Sequence, residues 1–391
     1  MKTPDAADAS RPAPSAAVGP PLPEAGARRF ASPGVRGPGI RSGRLPGLAL
    51  AWGLLCACAP VADMPTRPAV GRTAAFDATL EAAFRRIVPA DARVEPVAEG
   101  FTWAEGPAWI AGSDGGHLLF TDVPENRLYR WSPREGLSVF LEPSGYAGPP
   151  LDALREPGAN GLHPEPGGTV LLADSGSRLV ARLDLATKKK TPLATHYQGR
   201  RFNSPNDLVR RRDGTVFFTD PPYGLTGIDD SPAKELRFNG VYRLDPDGRV
   251  RLLDDRLRYP NGIALSPDER TLYVANSDPA HPLWIAYALD ERGEVAGRRV
   301  FADASDLVAQ GAPGLPDGMA VASDGTLFAT GPGGVLVFAP DGRRLGRIET
   351  GTAVSNCAFG DDGRSLYMTS DHFVARVRVT VAGPGFRAPA P

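Results

Sequence analysis

From residue 116 onward the chain repeats one pattern of polar and apolar positions. A turn residue and a small or polar residue precede a mostly apolar run, which closes on a polar or small residue. The pattern occurs at 116–122 (GHLLFTD), 168–174 (GTVLLAD), 214–220 (GTVFFTD), 270–276 (RTLYVAN), 325–331 (GTLFATG) and 364–370 (RSLYMTS). Several copies follow a turn such as Asp213-Gly214 or Asp324-Gly325. Asp-Gly between apolar runs is a strong hairpin signal. A second run follows each copy, at 127–131, 179–183, 241–244, 284–289, 335–338 and 374–379. Units of roughly 40–55 residues with several strands each have the length of propeller blades. The pattern therefore predicts an all-β fold, a six-bladed β-propeller over residues 89–391. Two stacked β-sandwiches would not require six copies of one phrase.

One segment has a different period. In 75–88 (AFDATLEAAFRRIV), Phe76, Leu80, Ala83, Phe84 and Ile87 recur at helical spacing. This predicts a short N-terminal helix packed on the outside of the propeller, joined by a linker from residue 59. Residues 1–44 are rich in Ala, Pro, Gly and Arg without apolar periodicity, and read as a disordered leader. A translation start downstream, for instance at Val35, would remove most of it. Residues 45–58 open with an uncharged apolar run behind Arg36, Arg41 and Arg44. It is too short for a membrane-spanning helix, which needs about 20 residues, and has the form of an export signal. Its end, Leu55-Cys56-Ala57-Cys58, resembles the lipobox of bacterial lipoproteins, with Cys58 the lipidated residue; Cys56 departs from the usual small residue. The expectation is an exported protein, periplasmic or membrane-anchored, that meets a membrane only through an N-terminal lipid.

Composition narrows the function. A formal net charge of -1 excludes a chain-wide basic footprint for nucleic acid. Lys188-Lys189-Lys190 reads as a solvated turn. Three cysteines cannot form a disulfide framework, and Cys357 reads as a buried, inert thiol. There is no Gly-Xaa-Ser-Xaa-Gly nucleophile elbow.

The candidate chemistry lies eight to eleven residues ahead of each phrase. There stand Glu105, Asn160, Asn206, Asn261, Asp317 and Asn356, most followed by a small residue and an apolar strand. Equivalent positions in successive blades fall on a ring about the propeller axis. If this strand is innermost, its first side chains face the central channel. Two carboxylates and four amides are hard oxygen ligands, suited to Ca²⁺, Mg²⁺ or Mn²⁺. Zn²⁺ favours His or Cys, which the ring lacks. Taken singly, Asn-Gly and Asp-Gly are ordinary turn sequences; the common register argues for a site.

Residues 101–109 (FTWAEGPAW), 203–208 (NSPNDL), 217–223 (FFTDPPY), 260–263 (PNGI) and 315–319 (LPDGM) resemble the gluconolactonase/regucalcin (senescence marker protein) family. Residues 239–242 (NGVY) and 331–338 (GPGGVLVF) resemble its bacterial gluconolactonase branch. The resemblance runs from about residue 89 to 379. It implies a six-bladed propeller, one catalytic divalent cation in the channel, and lactone hydrolysis. By motif it makes Glu105, Asn261 and Asp317 metal ligands, Asn206 a contact to metal or substrate, and Asp317 the general base. Asn160 and Tyr223 are expected on the substrate side. Tyr223 lies in a mouth segment, 221–230, and His281 is a candidate in a second, 276–281. Residues 174–178 (DSGSR) depart from the Glu-His-Gly-Asn-Arg of related chains. The expected activity is metal-dependent hydrolysis of a sugar-acid lactone by a monomer. Ca²⁺ is the first choice of ion, with Mg²⁺, Mn²⁺ or Zn²⁺ as alternatives. The competing readings are a phosphotriesterase on the same ring and a non-catalytic lipoprotein that binds metal or sugar.

Overall fold

The repeated phrases are apolar at consecutive positions because both faces of each blade are covered. In the computed structural model, His117–Asp122, Thr169–Asp174 and Val216–Asp220 are buried almost throughout. Strands buried on both faces read as continuous apolar runs instead of alternating ones. The structure describes residues 73–74, 78–113, 115–149 and 152–386. The expected leader, the export signal with Cys58, and most of the linker lie outside the described residues.

Six antiparallel sheets form the blades, each phrase supplying the second strand from the centre. The innermost strands are Ala104–Ile110, Leu162–Glu165, Leu208–Arg210, Pro260–Leu265, Met319–Val321 and Asn356–Gly360. Blades I to IV are each built from four consecutive strands. Blade V gains a fifth, Thr73–Ala74, paired with Arg347 and Ile348. Blade VI takes its outer strand from the N-terminal side: Glu95–Glu99 pairs antiparallel with Phe373–Arg378, Glu95 opposite Arg376 and Glu99 opposite Phe373. The two ends of the propeller thus close the ring in one sheet.

The expected helix spans Ala78–Ile87. Its buried Phe84 and Ile87 join a core with Val335, Leu345 and Ile348 of blade V and Leu366 and Val377 of blade VI. Gly346 makes this approach possible, since a Cβ there would lie 2.4 Å from the Phe84 ring. The Thr380 backbone N–H donates to the Ile87 carbonyl at 2.9 Å, satisfying one of the open carbonyls at the helix end.

Two expectations about single residues divide. Cys357 is buried and free, and burial pushes its thiol well up. Lys190 is not a solvated turn residue: its ammonium meets Asp174 Oδ2 at 2.7 Å and the Ser144 and Gly145 carbonyls. It anchors the outer strand of blade II to the loop that leaves blade I.

Candidate active site

The site forms because six backbones converge on the axis. Where a glycine follows the ring residue, the next blade requires it. A Cβ on Gly262 would lie 2.1 Å from the Asp317 carbonyl oxygen, and one on Gly318 would lie 2.0 Å from the Asn356 side chain. Hydroxyl groups then tie each blade to its neighbour at the ring. Thr121 donates to the Asn160 carbonyl at 3.1 Å and Thr219 to that of Asn261 at 2.6 Å. Thr330 donates to the Ser355 carbonyl at 3.0 Å. In blades II and IV the phrase carries Ala173 and Ala275 instead, and serines two residues on do the work. Ser175 reaches the Pro205 carbonyl and Ser277 that of Pro316, each at 2.6 Å. Ser355 closes the circle on the Ala104 carbonyl at 2.6 Å.

These clamps aim the ring at a cavity of about 600 Å³ lined by Glu105, Asn160, Asn206, Asn261, Asp317 and Tyr223, with Glu156 and Trp103. Asn356 is placed differently. It lines a second cavity at the further ends of the inner strands, where its Oδ1 accepts from the Cys357 backbone N–H at 2.8 Å and its amide lies near the carboxyls of Glu105 and Asp207. His281 is not among the residues lining the first cavity; it pairs with Asp278 at 3.3 Å on an exposed turn. The departing segment 174–178 also stays behind the wall. Asp174 holds Lys190 and the Ser177 backbone N–H, and Ser175 serves as a clamp.

Burial governs the electrostatics of the four acid groups here. Desolvation raises Glu105 to about 8, with Asp207 and Glu156 adding repulsion against the Gly106 backbone N–H, which stabilises the anion. Asp317 is raised well above the usual carboxylate range, by desolvation first and then by the charges of Glu105, Asp207 and Glu156. Asp207 is raised to about 7 by desolvation, although it accepts from the Leu208 and Ile263 backbone N–H groups. Glu156 is also raised to about 7, by burial opposed by Arg155.

The amide groups complete a donor set. Asn261 Nδ2 donates to Ser277 Oγ at 2.9 Å, which turns its Oδ1 away. Asn261 Oδ1 and Asn160 Oδ1 are buried without a hydrogen-bond partner, a costly state for a polar atom. Among the described residues no cluster of three or more His, Cys, Asp and Glu groups is placed to hold a metal. Cation binding here therefore has to draw on amide oxygens, and two carboxylates with orphaned amide oxygens are a donor set that fits a hard divalent ion. The Tyr223 ring stacks on Tyr259 at 5.5 Å.

The ring motif did not point to Asp207, Glu156 or Arg155. Asp207 carried a signal, because it stands after Asn206 where most ring residues are followed by glycine. Glu156 and Arg155 carried none, since they lie on a connection outside the repeat.

A six-bladed propeller with acid and amide groups at its axis defines the class of protein. Residues 103–372 match the family model described as SMP-30/Gluconolactonase/LRE-like region, and the chain belongs to that family. It is 44% identical to a gluconolactonase of Zymomonas mobilis, over 80% of this chain and 88% of that one. It is 29% identical to a pentonolactonase of Haloferax volcanii, over 68% of this chain and 80% of that one. The solved gluconolactonase of Xanthomonas campestris superposes with a TM-score of 0.66 at 31% identity, over 81% of this chain and 99% of that one.

Proposed function

We propose that this lactone hydrolase opens a polyhydroxylated sugar-acid lactone of the gluconic type, with a divalent cation, Ca²⁺ first, held by Glu105, Asn206, Asn261 and Asp317. The observation that carries the reading is the pairing of two desolvated carboxyls with orphaned amide oxygens in one cavity. A bound cation would polarise the lactone carbonyl and stabilise negative charge on its oxygen.

The residues of the chain supply the rest. Asp317 takes the proton of the attacking water as its oxygen bonds to the carbonyl carbon. The ring C–O bond then breaks, and the same proton passes to the departing ring oxygen, which becomes a hydroxyl of the product acid. Glu105, fixed by the Gly106 N–H at 3.0 Å, serves as a ligand. Asn206, Asn160 and Tyr223 orient the substrate's polar groups.

The test uses the protein stripped of metal and reloaded with Ca²⁺, Mg²⁺, Mn²⁺ or Zn²⁺ in turn. Proton release is followed on a panel of lactones beginning with glucono-1,5-lactone. The expected result is hydrolysis that chelation abolishes, one cation restores best, and Asp317→Asn loses. Full turnover without metal, or in Asp317→Asn, contradicts the mechanism.

A further inference from the structure

Most buried acid groups near the axis have a visible structural job. Asp122 accepts from the Thr102 and Trp103 backbone N–H groups at 2.9 and 3.1 Å. Asp220 accepts from those of Asn203 and Ser204, both at 2.8 Å. Asp207 takes two more. Each holds a loop, and its oxygens are spoken for. Glu156 is different. It is 8% exposed and lines the cavity. The ion pair recorded for its carboxylate is with Arg155, at 3.1 Å.

Its backbone is fixed from several sides. The Arg155 and Glu156 N–H groups both donate to the Gly224 carbonyl. A bridge joins Leu154 to Leu225, and Thr226 N–H donates to the Ala153 carbonyl at 3.0 Å. From below, Gly176 abuts Pro157 so closely that a Cβ would lie 1.8 Å from the Pro157 carbonyl oxygen. A carboxylate placed this firmly, facing a cavity that also holds amide and hydroxyl groups, with acceptor capacity to spare, is poised to receive hydroxyl donors. Among the described residues, Arg155 is the one basic side chain lining the cavity. Its Nη1 meets both the Glu156 carboxylate and the Tyr223 carbonyl, the latter at 3.3 Å, while the side chain stays half exposed.

We infer that the Arg155–Glu156 pair selects the charge of the substrate. Glu156 accepts hydrogen bonds from the secondary hydroxyls of an uncharged lactone. By neutralising Arg155, it also offsets the positive charge that a lactone bearing a phosphate or a second carboxylate would need. This rests on the lactone-hydrolase reading and narrows it to uncharged polyhydroxy lactones.

The experiment compares glucono-1,5-lactone with 6-phosphoglucono-1,5-lactone on the metal-loaded full chain. The proteins are wild type, Glu156→Gln, Arg155→Met and the double variant, each checked for an unchanged thermal transition. Wild type is expected to favour the neutral lactone by about a hundredfold in kcat/KM. In Glu156→Gln the loss on the neutral lactone, roughly tenfold, falls mainly on KM. The freed Arg155 raises turnover of the phosphorylated lactone, so the preference falls by at least about tenfold, and the double variant reverses that gain. A folded Glu156→Gln with an unchanged preference and KM overturns the inference while leaving the lactonase reading intact. So does a wild type that takes both lactones equally. A wild type that hydrolyses neither lactone nor any other of the panel removes the reading itself, and the inference with it.

Discussion

At the scale of single residues, the site depends on groups that hold the ring side chains in place. Ser277 Oγ receives the Asn261 amide and donates to the carbonyl that precedes Asp317. Ser277→Ala should therefore free the Asn261 amide to turn. We expect roughly 10- to 100-fold weaker metal binding, the range seen when groups supporting a ligand are removed, and recovery in Ser277→Thr; calorimetric titration with Ca²⁺ checks both. The two carboxylates should separate by role. Glu105→Gln should weaken the metal most, whereas Asp317→Asn should cut kcat by about 10²–10⁴ with metal affinity only partly reduced. Unchanged affinity in Glu105→Gln would contradict its assignment as a ligand. A further residue reports on pH. Burial holds the His163 imidazole down to about 4, with Arg210 adding to the effect and Glu165 opposing it. Between about 6.5, the unfolded value, and 4, the unfolded chain takes up a proton that the folded chain refuses. The stability contributed by neutral His163 is thus complete above 6.5 and is lost as pH falls toward 4. His163→Gln should flatten that part of the denaturation midpoint-versus-pH curve, and an identical slope would remove His163 as its source.

At the scale of elements, the ring motif turns out to combine two requirements. Its first residue faces the channel, as the common register implied for Glu105, Asn160, Asn206, Asn261 and Asp317. Its second is most often glycine because the neighbouring blade passes within contact distance, as at Gly262 and Gly318. Gly262→Ala should destabilise the fold by about 1–3 kcal/mol, the usual penalty for overpacking, and should disturb Asp317 in the next blade. Melting temperature together with lactone turnover checks this, and an unaltered pair of values would contradict it. Asn356 shows the limit of equal register. It occupies the same sequence position, yet its amide turns to the buried carboxyls of Glu105 and Asp207 instead of the first cavity. Periodicity fixes a residue's place along the strand and says nothing of which neighbour its side chain will bond.

At the scale of the whole molecule, closure is the main structural event. Blade VI is completed by Glu95–Glu99, so the ends of the propeller depend on each other. A chain beginning at residue 100 would leave Phe373–Arg378 with an unpaired edge and expose the core beneath. Such open edges invite aggregation. We expect loss of soluble, cooperatively melting protein, measured by size-exclusion chromatography and circular dichroism; a monodisperse truncated product with a sharp transition would show that closure is dispensable. The connections outside the repeat matter at this scale as well. Residues 152–159 and 221–230 meet through Leu154 and Leu225 to build the cavity wall, and that wall is where Glu156 and Arg155 reside.

The amino-acid sequence by itself determined the number of blades, the second strand of each, the helix ahead of them and the ring positions. All of these are local: strand and helix periods and turn residues act over a few neighbours, and the repeat displays them six times. Tertiary structure alone decided what comes from far apart in the chain. It chose the N-terminal strand that closes blade VI and the alternation of threonine and serine clamps between blades. It turned Asn356 from the first cavity and tied Lys190 to Asp174, and it brought two unrelated loops together to place Glu156. Side-chain partners, burial and the resulting shifts in acidity depend on which distant backbones converge at the axis, and no local pattern encodes that convergence.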